Sequence, residues 1–361
     1  MSSTLRVVAA RDLGPQFTYN PHRMIGQDGA YSIPLDDGAF WYFGDTLVGR
    51  RTPGESLWFP GGVQLGPGDM SGKHGIDRMI TNTGLILRDK SGRQGLRDFR
   101  YVQSDSGKLL QIVPHLPGES VDELRVWCLH GIHLKPTLYL YYIIVRMLAE
   151  GPMPVNFDLV GSGLAKGSPD GRNFTRIAHN GDTLWWPHPL PQFGTTVLRS
   201  RDDGFLYIYG VRKGSTGQQQ CCVARVRPDN IGSLDSYRYW AGDETGWQTD
   251  PATCATVMTD MPNEMSVSWN DHLQCYLAVH SLELTGAIVG RTAATPWGPW
   301  SEPVTLWQVP PPLYDYPVPY SPLIYAGKEH PELAEDGGRV LYLTYIEFEE
   351  YFPHLIEVTI A

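Results

Sequence analysis

Almost no stretch of this sequence carries apolar residues at a helical spacing of three to four, so long helices are excluded as its framework. Long hydrophobic runs are also missing. The longest, Leu138 to Ala149, is interrupted by Arg146 and is too short to span a bilayer, so it reads as a buried strand. Cysteine is sparse: Cys128, Cys221, Cys222, Cys254 and Cys275 are odd in number and irregular in spacing. They form neither a disulfide framework nor a zinc-ligand pattern, and buried free thiols are the simplest reading. Positive charge is in deficit, with 29 Lys and Arg against 39 Asp and Glu and a formal net charge of −10. That balance argues against nucleic acid or an anionic membrane as partner, because both demand a basic face. No charged n-region and apolar h-region follow Met1, so the chain as written is expected in the cytoplasm; a mature secreted form would read the same way. Three catalytic signatures are absent as well: the Gly-rich phosphate loop, the Gly-x-Ser-x-Gly elbow and His-Glu-x-x-His.

What is abundant is aromatic side chains and turn formers: 11 Trp, 19 Tyr, 39 Gly and 29 Pro in 361 residues. A phrase recurs, made of a short β run, an acidic or Gly-rich turn, and an aromatic β run. It appears as Ala30 to Leu35, Asp36-Asp37-Gly38, then Phe40 to Phe43. It returns as Thr196 to Leu198 with Leu206 to Tyr209, as Ser266 to Trp269 with Tyr276 to Val279, and as Pro322 to Tyr325 with Val340 to Leu343. A degenerate copy joins Leu124 to Trp127 with Leu138 to Tyr141. Five copies predict an all-β, five-bladed β-propeller occupying residues 1–361 as a single domain, each phrase supplying two inner strands. A β-sandwich of similar strand content is the competing architecture. Outer strands are expected at Gly84 to Arg88, Gly161 to Lys166, Cys221 to Val226 and Ala287 to Arg291. Leu5 to Ala10 is expected beside Leu355 to Ile360, closing the ring and removing an exposed edge.

In such a ring the entry ends of the inner strands share a funnel, and three acids fall there. Asp28 precedes the first inner strand and Asp45 ends its neighbour, so an antiparallel pair puts both at one end of one hairpin. Glu264 precedes the fourth inner strand. Paired carboxylates are what glycosidic cleavage requires: one protonated to supply the leaving oxygen, one ionised as nucleophile or as base for water. Crowding of like charges separates their pKa values. Each acid also has a plainer reading as a turn residue bonding its own backbone. Asn82, Trp127, His188, Tyr320 and His330 are candidate substrate contacts. Asn82 could equally cap a turn, His188 could be a loop histidine packed on Trp185 and Trp186, and Tyr320, with Tyr314 and Tyr316, could shield a propeller face. The run Glu329-His330-Pro331-Glu332 reads more simply as a charged, solvated loop.

The phrase Asp28-Gly29-Ala30-Tyr31-Ser32, followed by Trp41-Tyr42-Phe43-Gly44-Asp45-Thr46, resembles the endo-D-arabinanase-like propeller proteins, long catalogued as a domain of unknown function. Asn263 to Val267, Pro296 to Ser301 and His330 to Leu333 agree with it. The resemblance implies a glycoside hydrolase, or a transglycosylase, acting on furanose-containing glycans, with Asp28 and Asp45 as the catalytic pair and Glu264 as the fourth-blade acid. It implies a carbohydrate or glycoside partner and no required cofactor, while a structural Ca²⁺ on the axis, held by acids and carbonyls, stays open. Two alternatives stay beside it. One is a non-catalytic carbohydrate-binding propeller. The other is a propeller recruited to an intracellular glycosylated metabolite, which predicts a closed, apolar-rimmed cavity. The sequence assigns no oligomeric state.

Overall fold

The computed structural model describes residues 5–150, 156–261 and 263–361. The chain is all-β. Among the described residues it forms six antiparallel sheets joined by turns and short 3-10 segments, with no α-helix and no helix long and apolar enough to cross a membrane.

Five sheets have four or more strands laid down largely in sequence order. The first runs Tyr31–Pro34, Ala39–Phe43, Thr83–Leu87 and Phe99–Tyr101. The second opens with Leu124–Leu134 and Thr137–Met147, the third with Gln192–Arg199 and Leu206–Lys213. The fourth opens with Met265–Asn270 and Cys275–Ser281, and the fifth with Ile324–Glu329 and Val340–Glu347. All five repeated phrases therefore fall on the first two strands of a sheet, and the four expected outer strands fall on third strands. The run Leu138 to Ala149 is a strand as expected. The connection that follows it includes residues 151–155, which lie outside the described residues.

The fifth sheet is completed by the chain's own beginning. Val7–Pro15 pairs with Pro353–Ile360, with Val7 opposite Ile360 and Arg11 opposite Glu357. This pairing covers a backbone edge that would otherwise be open to another chain. First strands of successive sheets pack on one another, and their inward side chains interlock as apolar clusters between sheets. The fifth sheet meets the first through a 2.6 Å hydrogen bond between Ser32 and His330, and through the His330 ring stacked on Trp41 at 4.2 Å.

Two features depart from the expected layout. A small sixth sheet of Met24–Gln27, Thr46–Gly49 and Ile76–Ile80 extends the first hairpin beyond its kink. The run Glu329-His330-Pro331-Glu332 is solvated only in its second half: Glu329 and His330, with Lys328 before them, are 4%, 0% and 1% exposed at the end of a strand, while Pro331 is exposed and Glu332 half-buried. Burial of Glu329 and His330 is tolerated because each is paired, Glu329 accepting from Ser268 and His330 held between Ser32 and Thr344.

Candidate active site

The two sheets of the first hairpin part at Asp28 and Asp45. Gly29 and Ala30 adopt positive φ, 79° and 60°, which turns the chain out of Met24–Gln27 and into Tyr31–Pro34. The Gly44 amide donates to the Asp28 carbonyl at 3.0 Å, so the hairpin stays closed across the kink. A side chain on Gly44 would collide with the Asp28 carboxylate and one on Gly29 with the Cys128 sulfur; glycine lets these groups crowd together.

Asp28, Asp45 and Glu264 line one cavity of about 300 Å³. Arg125, Trp127 and Cys128 line it beside the acids. Its walls are largely apolar, built from Trp58, Met70, Ile143, Met147, Phe157 and Phe348.

Each acid has a different neighbourhood. Asp28 accepts a hydrogen bond from Tyr325 at 3.0 Å and, among the described residues, is in no ion pair. Burial, then the charges of Asp45 and Glu264, push its carboxyl up to about 8. Asp45 is 9% exposed and lies 3.5 Å from the Arg125 guanidinium. Burial raises it to about 6, against the downward pull of Arg125 and of the Trp127 indole N–H. Glu264 is raised by burial and drawn back by the Lys328 ammonium, 3.2 Å away. The cations thus sort the acids: Asp45 and Glu264 each have one, and Asp28 keeps its proton near neutrality. Asp45, Arg125 and the Trp127 indole are thus gathered against one another, and all three line the cavity.

Of the eight residues singled out from sequence, the cavity gathers four: Asp28, Asp45, Glu264 and Trp127. The other four lie elsewhere. Asn82 is fully buried and its amide is spent on backbone, donating to Val113 and Val126 carbonyls and accepting from the Val113 amide. His188 is exposed outside the cavity lining, while the neighbouring Trp185 and Trp186 face the core and offer no stacking surface there. Tyr320 donates to Glu349, one of three tyrosines by which the segment around 314–320 grips the buried Glu347 and Glu349. His330 belongs to the junction between the fifth and first sheets.

Sequence reasoning did not find Arg125, Lys328, Cys128, Tyr325 or Tyr351, which surround the acids. Arg125 and Lys328 sit inside largely apolar strands, Arg125 between Leu124 and Val126, and a basic residue placed there was the available signal. For calcium, among the described residues no three His, Cys, Asp or Glu side chains are grouped to hold a metal. The oxygens gathered near Glu264 engage the Lys328 ammonium instead.

The family described as Domain of unknown function (DUF4185) matches residues 22–357. The chain is 30% identical over 146 residues to "Notoamide biosynthesis cluster protein J" of Aspergillus sp. (strain MF297-2), covering 39% of this chain and 37% of that protein. Among solved structures, it is similar to a Bacteroides ovatus ATCC 8483 protein classed as a hydrolase, with TM-score 0.63, 18% identity, and 96% and 87% of the two chains covered. It is also similar to Zg3597, a family 117 glycoside hydrolase of Zobellia galactanivorans, with TM-score 0.54, 9% identity, and 97% and 90% covered.

Proposed function

The chain belongs to the DUF4185 family, and from that premise we propose that it is a glycoside hydrolase, or a transglycosylase, built on one five-bladed ring. The observation that carries this reading is the convergence of three carboxylates on one cavity, with Arg125 paired to Asp45 and Lys328 to Glu264 among the described residues. Asp28, protonated near neutrality, donates to the leaving glycosidic oxygen. Asp45, beside Arg125 and largely ionised at pH 7, acts on the opposite face as nucleophile or as base for water. Glu264 adds negative charge that favours the oxocarbenium-like transition state. The sugar we infer is a furanose, on the likeness of the first hairpin to arabinanase-like proteins.

The apolar walls favour a compact glycoside with an apolar aglycone over a polymer laid in an open groove. The test is turnover of a panel of aryl and alkyl furanosides and of arabinan or fructan by the parent, Asp28→Asn and Asp45→Asn. Loss of about 10²–10⁴-fold is expected for each variant, with Asp28→Asn retaining more rate on activated aryl leaving groups that need no proton. Full rate in both variants on a substrate the parent cleaves overturns the assignment. A parent that binds these sugars without turnover, and variants that bind equally, would make it a binding module.

A further inference from the structure

Lys328 is 1% exposed, yet none of its charge is wasted on solvent. Its ammonium donates to the backbone carbonyls of Gly29 and Ala326 and to Glu264 Oε1, which uses all three protons. It also lies over the Tyr31 ring, 4.6 Å from its centre. The strand that carries it is shaped for this contact. Register slips between Tyr325 and Lys328, Ala326 takes a positive φ of 59°, and its carbonyl turns toward the ammonium. Gly327 has no room for a side chain against Ser281. The three acceptors come from the first hairpin, the segment entering the fourth sheet, and the fifth sheet. They are two carbonyls and a carboxylate, an all-oxygen set suited to a hard cation.

We propose that Lys328 is a built-in counter-ion that occupies the place of a bound metal ion at the ring's centre, ties the first, fourth and fifth sheets together, and positions Glu264 as an anion beside Asp28. The charged and titratable groups around it are Asp28 on the hairpin, Cys128 and His130 on the second sheet, Glu264 before the fourth, and His330 on the fifth. Its positive charge opposes protonation of both histidines and favours the ionised form of Glu264. Lys328 is therefore a positioning residue acting through Glu264. The inference rests on the proposed reading of the three acids as one reacting group, but none of its tests needs turnover.

The experiment is carboxyl ¹³C NMR of Glu264, titrated in the parent, Lys328→Met and Lys328→Arg. Removing the charge should raise the Glu264 midpoint by about 1–3 pH units, and arginine should restore most of the difference, as expected for a charge 3–4 Å away. A midpoint unmoved in Lys328→Met overturns the proposal. Should the methionine variant fail to fold, two measurements on the parent decide. Its melting temperature should be indifferent to Ca²⁺ and to chelator, and one lysine ammonium should exchange its protons at least roughly tenfold more slowly than the surface lysines. Stabilisation by Ca²⁺, or the absence of such a protected ammonium, overturns it. A catalytically inert protein with the expected titration would remove the hydrolase reading and leave the counter-ion in place.

Discussion

Replacing Asp28 by asparagine should make the protein more stable at alkaline pH while removing its activity. The carboxyl is held up to about 8 in the fold, against 3.8 ordinarily, so the folded chain binds a proton there that the unfolded chain has released. Folding stability tied to this group is complete below pH 3.8 and is lost as pH rises through about 8. The loss runs at about 1.4 kcal/mol per pH unit, which sets a ceiling of about 4 kcal/mol between pH 5 and pH 8. Asp28 keeps part of its surface toward the cavity, where water screens the charge, so a change of about 2–3 kcal/mol is the expected size. Asparagine keeps an acceptor for the Tyr325 hydroxyl and carries no titrating proton. Urea unfolding of parent and Asp28→Asn at pH 5, 6, 7 and 8 isolates the term, because most other ionisations cancel between the two proteins. The stability difference should grow in favour of the variant at each step. A difference that stays flat with pH would refute the account of Asp28 as a carboxyl destabilised by burial and by its acidic neighbours. Such stabilisation on loss of a reacting group is the usual mark of a strained active site.

Removing Arg125 as Arg125→Met leaves Asp45 buried without its cation and frees the Pro67 and Gly68 carbonyls; a loss of about 3–5 kcal/mol in urea unfolding is expected. The Asp45 midpoint should move above about 6 in the same variant, read by carboxyl ¹³C NMR. Asn82→Ala should cost about 1–3 kcal/mol through its lost bonds to the Val113 and Val126 backbone, seen as a lower melting temperature, with ligand affinity unchanged at temperatures where the variant is folded. His354 lies between Asp12 and Glu350, which raise it to about 9 and fasten the closing strand pair. Its contribution is complete below pH 6.5 and lost as pH rises through about 9, so His354→Gln should cost about 1–2 kcal/mol at pH 6 and little at pH 10.

The sequence by itself determined the β class, the five strand-turn-strand phrases and the placement of Asp28 and Asp45 at one end of a hairpin. These are local matters: alternation, turn residues and antiparallel pairing act over a few tens of residues. It also marked Glu264 by its place just before a repeated strand. Only the tertiary structure decided which polar residues are spent on structure and which face the cavity. Asn82 looked like a ligand contact, but its partners Val113 and Val126 lie 31 and 44 residues away. Glu329 and His330 looked solvated, and became buried with Lys328 because Ser32, Ser268, Glu264 and Gly29 arrive from elsewhere in the chain, and Thr344 from the neighbouring strand, to pair with them. The division of charge among the three acids depends on Arg125 and Lys328, whose sequence positions say nothing of which carboxylate each will face. Long-range packing brings those charges within a few ångströms, where burial makes the pairing decide which acid holds a proton.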